Sequence, residues 1–252
     1  MSSRSWRGLE ADMLKPKHEK LLKLVLKYFS EIGPASPGII RALHIKTTAT
    51  SATIEGYPVT QQQVEQALVH GPSDHNEEQA VRISRAVDDT LRMLKGPLTE
   101  EFILGVHSIV LEGGGRYRDV DVRVGHYRAP GHGQVPGLMK ELVAKYSRRM
   151  STIDRMIEFH VDFEMIHPFR DGNGRTGRVL LNWMLARAGY PPFVFIGDRM
   201  VEDYYRLFDE NRDFAIRFVL NMYIELVTYI LREKDRSPYH VRKIRETMLG
   251  YL

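Results

Sequence analysis

One stretch of this chain breaks the helical spacing that almost everything around it carries. The stretch is GGGRYRDVDVRVGHYRAPGHGQVP, residues 113–136. Gly113 to Gly115 break the preceding helix, Val120, Val122 and Val124 alternate with polar residues, and Gly131 and Gly133 mark a turn. This pattern predicts one β-hairpin set in a mostly α protein.

The flanking helices are bounded by capping residues and breakers. Thr60 followed by Gln63 has capping-box spacing before VEQALV, and Gly71 supplies a stop. Glu77 to Lys95 keeps helical periodicity through Ala80, Val87, Leu91 and Leu94 until Gly96-Pro97, where a soft boundary falls. Further helices are expected at about 99–112, 137–146, 152–166, 175–188, 201–210 and 213–233. Pro168 disfavours helical geometry at His167, while Gly189 and Pro191-Pro192 close the helix before them. The tail SPYHVRKIRETMLGYL reads either as a short docking helix or as a segment without regular structure.

At 252 residues, with 43% apolar and 27% charged, the chain can fill one large domain or one domain with a smaller attachment. The most apolar run, Phe214 to Leu231, is interrupted by Arg217, Asn221 and Glu225, so no membrane span is expected. The first twenty residues lack the apolar core of a secretory signal. Zero cysteines exclude disulfides and thiolate metal sites and fit a reducing, cytoplasmic setting. The net charge of +4 is spread among nearly as many acids as bases, so nucleic acid is not indicated.

The chemistry concentrates in His167-Pro168-Phe169-Arg170-Asp171-Gly172-Asn173-Gly174-Arg175-Thr176-Gly177-Arg178, a loop feeding a helix N-terminus. Gly172 and Gly174 let consecutive N–H groups converge, and the helix adds unpaired N–H groups and the positive end of its dipole, a combination that attracts phosphate. Arg175 and Arg178 stand where cations oppose that dipole, which makes sense if a polyphosphate lies between them and the loop amides. Asp171 is the one acid there, and a carboxylate beside phosphates is the usual magnesium anchor. His167, fixed at a helix exit, can take a proton from an attacking hydroxyl near neutral pH. Taken singly, a GNG is more often a turn, a His before Pro is structural, and an Arg pair solvates a helix. One anion explains the glycines, both arginines and the acid together.

These twelve residues resemble the Fic (Fido) signature H-P-F-x-[D/E]-G-N-G-R-x-x-R at every specified position, and the resemblance extends over roughly 98–233. It implies a Fic-fold helical bundle with a hairpin called the flap, preceded by an N-terminal helical region (1–97) and followed by a tail (234–252). It also implies a protein adenylyltransferase that moves AMP from ATP to a Ser, Thr or Tyr hydroxyl of a protein. His167 would be the base and Asp171 would hold Mg2+ or Mn2+. Gly172, Asn173 and Gly174 would form the anion hole, with Thr176 and Gly177 in the same stretch, and Arg175 and Arg178 would meet the outer phosphates. Phe169 would be a core anchor. Val122, Arg123, Val124 and Gly125 would form a flap strand that borders the nucleotide and pairs with an extended target segment. Tyr204, Tyr205 and Asn211 fall where similar proteins line the adenine site.

Ser51-Ala52-Thr53-Ile54-Glu55-Gly56 resembles the inhibitory motif [S/T]-x-x-x-E-[G/N] of the same family. Glu55, on a helix one turn after Ser51, is expected to pair with Arg178 and occupy the place of the γ-phosphate. The resemblance further implies that such a glutamate can position water so that the site removes AMP. Self-modification and a homodimer acting on the inhibitory helix are also within what it implies. Competing readings are another Fic-fold phosphotransfer, a metal-dependent hydrolase using His160, His167 and Asp171, and a nucleic-acid-binding helical module. The hydrolase leaves the arginines and the glycine loop unexplained, and the module needs a basic stripe with stacking aromatics that is not seen. Trp183, Met184 and Leu185 read as core, and Arg242, Lys243 and Arg245 as a solvated face.

Overall fold

In the computed structural model, which describes residues 14–32, 37–147, 152–196, 199–234 and 236–252, several helices begin where a side chain accepts an orphan backbone N–H. Residues 1–13, read above as lacking a secretory signal, lie outside the described residues. In chain order the helices are α1 (Pro16–Ile32), α2 (Pro37–Ile54), α3 (Gln61–His70), α4 (His75–Arg92), α5 (Glu100–Val110), α6 (Val135–Tyr146), α7 (Ile153–Ile166), α8 (Asn173–Arg187), α9 (Arg199–Arg206), α10 (Arg212–Glu233) and α11 (Pro238–Leu249). A single hairpin, β1 (Arg123–Val124) with β2 (Tyr127–Arg128), is the only sheet among the described residues. The chain divides into a larger unit, residues 44–193, and a smaller one made of residues 1–43 and 194–252.

The capping box expected at Thr60 and Gln63 forms, and Gly71 follows the end of that helix, while the next helix begins at His75 and ends at Arg92 rather than running from Glu77 to Lys95. Thr60 Oγ1 accepts the Gln63 amide at 3.2 Å and Gln63 Oε1 accepts the Thr60 amide at 3.0 Å, which starts α3. Asp74 and Thr99 accept the amides of Glu77 and Phe102 at 2.8 and 3.1 Å, and so fix the starts of α4 and α5. Each such cap contributes about 1 kcal/mol.

Within the larger unit α8 is buried almost all round from Arg175 to Leu185 and packs against α4, α5 and α7, while α6 covers α7. A helix buried on every side belongs in a core. Trp183, Met184 and Leu185 are its buried centre, as expected. Trp183 keeps its indole N–H satisfied by donating to the Met93 carbonyl at 3.2 Å, and Arg187 donates to the Gly96 carbonyl at 2.5 Å. These two bonds pin the end of α4 to α8.

The hairpin is shorter than its sequence suggests. Arg123 pairs with Arg128 and Val124 with Tyr127, so the turn is Gly125-His126 rather than Gly131-Gly133. Gly125 has φ +57° and His126 is not in the left-handed region, the dihedral pattern of a type II′ turn, whose twist matches the strands. Val120 stays outside the ladder, Val122 reaches it only through its carbonyl, which accepts the Ala129 amide at 3.3 Å, and Gly131 instead leads into a 3₁₀ turn at His132–Gln134.

In the smaller unit α10 packs with α1, α9 and α11. By length and composition α10 could cross a membrane, but most of it is buried within the structure. The tail forms a docking helix: α11 buries Val241 and Met248, and Arg245 is tied to Glu225 of α10 at 2.6 Å rather than left on a solvated face.

Candidate active site

His167 ends α7. Its amide donates to the Phe163 carbonyl at 3.0 Å, and its φ of 50° and ψ of 61° put it in the left-handed region. It is the only non-glycine with positive φ among the described residues. That conformation costs about 1 to 2 kcal/mol, and such strain is characteristically retained at sites of function. Burial holds the imidazole below the ordinary histidine range and the Arg118 cation adds to the effect, while the Glu164 carbonyl and the Glu55 and Asp171 carboxylates act the other way. A neutral imidazole at neutral pH can accept a proton.

The chain then reverses into α8. Phe169 is fully buried, stacked face to face on His107 with centroids 3.6 Å apart. Asn173 clamps the turn with both ends of its amide: Oδ1 accepts the Phe169 amide at 2.8 Å and Nδ2 donates to the Phe169 carbonyl at 2.9 Å. The side chain of Asn173 is thus committed to the loop. His107, which sequence reasoning did not single out, accepts the Gly115 amide at Nδ1 (2.9 Å) and therefore donates from Nε2 to the Asp171 carbonyl (3.0 Å). Gly172 caps α8 in the left-handed region with no side-chain acceptor, so the first N–H groups of α8 remain open.

Asp171 is 53% exposed; its Oδ1 accepts the Gly172 amide at 2.6 Å and an Arg175 bond at 3.0 Å. A single half-open carboxylate fits a hard cation that keeps its waters and takes its remaining ligands from phosphates. No group of three His, Asp or Glu suited to a metal occurs among the described residues, so His160, His167 and Asp171 do not form the hydrolase site considered above.

The two arginines are not on a solvated face. Arg175 is fully buried, donates to Gln79 Oε1 and Asp171, and lies 5.0 Å over the Tyr57 ring. Arg178, also buried, donates from Nε to Ser51 Oγ (2.9 Å), and from one terminal nitrogen to the Ser51 carbonyl (3.1 Å) and Glu55 Oε1 (2.8 Å).

Glu55 itself stands just past the end of α2 rather than inside it. Gly56, with φ 86°, donates to Thr53 at 3.0 Å and Tyr57 donates to Ala52 at 3.1 Å, the paired bonds of a Schellman ending. An acid at a helix C-terminus is disfavoured by the helix dipole. Here the Arg178 cation offsets that cost. The Glu55 carboxylate covers the N-terminus of α8 so closely that a Cβ on Gly174 would collide with its Oε1.

Behind the loop lie residues that face inward. Thr176 is fully buried, and Gly177 packs so tightly that a Cβ there would collide with Glu164 Oε1. Neither residue presents a side chain to a nucleotide. His160 is buried and its pKa falls to about 3, from burial first and Arg178 second. Glu164 is raised to about 8, because burial outweighs the pull of Arg178.

In the flap, Arg123, Val124 and Gly125 are exposed and Val122 is half-buried. Tyr127 ties β2 to the end of α7 by donating to the Met165 carbonyl at 3.1 Å. Tyr204, Tyr205 and Asn211 belong to the smaller unit. There Tyr204 is buried against Phe195 and Phe208, Tyr205 is 50% exposed, and Asn211 caps α10 by accepting the Phe214 amide at 3.0 Å.

Residues 97–185 match the Fic/DOC family. The chain is 34% identical over 160 residues to the protein adenylyltransferase Fic of Drosophila willistoni, covering 57% of this chain and 32% of that one. It is 34% identical over 171 residues to its counterpart in Drosophila grimshawi, covering 62% and 35%. The chain thus spans about a third of the length of the curated relatives it matches. In fold it resembles a Fic-domain-containing signaling protein from Bacteroides thetaiotaomicron, with a TM-score of 0.70, 20% identity and coverage of 88% and 98%. It also resembles Fic-1 from C. elegans, with a TM-score of 0.69, 22% identity and coverage of 86% and 73%. Residues 97–185, which include the loop from His167 to Arg178, match the Fic/DOC family, and the chain shares its fold with solved Fic-domain structures.

Proposed function

We propose that the chain transfers AMP from ATP to a hydroxyl side chain of a protein, and that Glu55 restrains the reaction. The observation that carries this reading is the pairing of a buried imidazole at the end of α7 with an α8 N-terminus whose open N–H groups and buried Arg178 lie under the Glu55 carboxylate. An anion-binding site held by an internal anion is a site whose ligand must displace that anion.

In the forward direction His167 accepts the proton of the attacking hydroxyl. The oxygen forms a bond to the α-phosphorus, the bond to the bridging oxygen breaks, pyrophosphate leaves, and the proton passes from His167 to solvent. The backbone N–H groups of Gly172 to Gly174 stabilise charge on the phosphate oxygens as it develops. The γ-phosphate takes the place of Glu55 on Arg178. Asp171 would hold magnesium or manganese, which when bound offsets the charge of the α- and β-phosphates. The exposed backbone of β1 offers the hydrogen bonds that present an extended target segment. The reverse reaction, removal of AMP, is supported by the Glu55 carboxylate lying beside the loop, where it can orient a water.

The test uses ATP labelled at either the α- or the γ-phosphate, incubated with magnesium, the Glu55→Ala variant and candidate protein substrates. Label entering protein from the α-phosphate alone is the expected result. Label entering from the γ-phosphate would replace this reading with phosphoryl transfer.

A further inference from the structure

Arg118 is 4% exposed and lies between the flap and the end of α7. Its guanidinium donates to four carbonyls: Val120 at 2.8 Å, Pro130 at 2.5 Å, His167 at 2.8 Å and Ile166 at 3.5 Å. Its backbone amide donates to the Pro168 carbonyl at 2.9 Å. Two of these acceptors bracket the hairpin segment 120–130. The others are the last residues of α7 and the proline after them, carbonyls that no helical N–H reaches.

Resting on the AMP-transfer reading above, we propose that Arg118 is a positioning residue that couples the flap to His167, so that the strand presenting the target hydroxyl and the base receiving its proton move as one body. The fork shape matters: five donors in one plane can hold both ends of the flap and the His167 carbonyl at once, which an ammonium cannot do. A cation placed against the C-terminal carbonyls of α7 is also favoured by the helix dipole, which helps offset its burial. Holding the His167 carbonyl fixes the peptide plane of a residue already in the left-handed region, and so sets where the imidazole points.

The charge of Arg118 has a second consequence. The groups facing His167 are Arg118 from the segment before β1, Glu55 from the end of α2, Asp171 from the loop, and the Glu164 carbonyl from α7. Of the charged side chains, Arg118 alone depresses the imidazole, so removing its charge leaves the two carboxylates to raise it.

Two substitutions separate geometry from charge. Arg118→Lys keeps the cation and loses the fork, and Arg118→Gln loses both. The measurements are NMR titration of His167, assigned by its absence in His167→Ala, amide exchange across 120–130, and affinity for ATP with magnesium. Both variants should bind ATP as the parent does and exchange faster through the flap. Only Arg118→Gln should move the His167 titration upward. In a Glu55→Ala background both should slow the appearance of an AMP adduct by on the order of 10- to 100-fold, the effect of a displacement near 1 Å. An unmoved His167 titration in Arg118→Gln overturns the proposal, as does unchanged flap exchange. Loss of ATP binding in Arg118→Lys also overturns it, because Arg118 would then support the whole site rather than couple two parts of it. The titration and exchange need no turnover. A Glu55→Ala parent that forms no adduct while these shifts occur would count against AMP transfer and leave the coupling standing.

Discussion

Replacing Glu55 with alanine should weaken the fold and tighten ATP binding by the same free energy. Arg178 is buried and its bond to Glu55 is 2.8 Å long, while Glu55 is 23% exposed. A hydrogen bond between charged groups contributes about 1.5 to 3 kcal/mol, and the partial exposure of Glu55 puts this pair toward the lower end. The alanine also relieves an acid at the C-terminus of α2, which returns about 0.3 to 1 kcal/mol. The net loss is about 1 to 2 kcal/mol, because Ser51 continues to satisfy two of the Arg178 donors. For a chain of this size the melting temperature should drop by about 2 to 8 °C. On the proposed function, ATP must break the Glu55 pair in the parent before its phosphate reaches Arg178. In the variant it does not, so the dissociation constant should fall by about 5- to 30-fold. Calorimetric titration with a non-hydrolysable ATP analogue and magnesium, together with thermal melts, measures both. A lower melting temperature with affinity unchanged within a factor of two would refute the reasoning and make Glu55 a structural partner only.

Three further perturbations test separate parts of the site. With the His167 pKa depressed chiefly by burial, the base is already neutral at pH 7, so the acid limb of the pH–rate profile should lie below the usual histidine range; a limb at or above that range would contradict the assignment. Asp171→Asn should weaken magnesium-dependent ATP binding at least tenfold and leave metal-free binding nearly unchanged, as calorimetry with and without a chelator would show. Gly174→Ala should destabilise the parent because its Cβ meets Glu55, and combining it with Glu55→Ala should recover part of the melting temperature, whereas additive losses would mean the contact carries no strain.

What the sequence made legible was local. Thr60 with Gln63, Thr99, and Pro168 after His167 act within a few residues of themselves, and their consequences appear at the starts of α3 and α5 and at the end of α7. The loop was legible because its glycines, acid and arginines are contiguous. The burial of Arg175 was not, because its acceptor Gln79 comes from α4, about a hundred residues away in the chain, and the pairing of Arg178 with Glu55 was expected only through the inhibitory motif near residue 55. Arg118 left no signal for the same reason: its four carbonyl acceptors lie in two segments that only the tertiary fold brings together. The single hairpin was legible but its extent and turn were not, because alternation of valines marks extended chain, while the turn was decided by Gly125 at positive φ.

The most direct test of the central claim is intact-protein mass spectrometry of the wild type, Glu55→Ala and Glu55→Ala/His167→Ala after incubation with ATP and magnesium. The account predicts a gain of one AMP mass in Glu55→Ala, little in the wild type and none once His167 is gone. An equal AMP adduct in the double variant, or the gain of a phosphate in place of AMP, would contradict it.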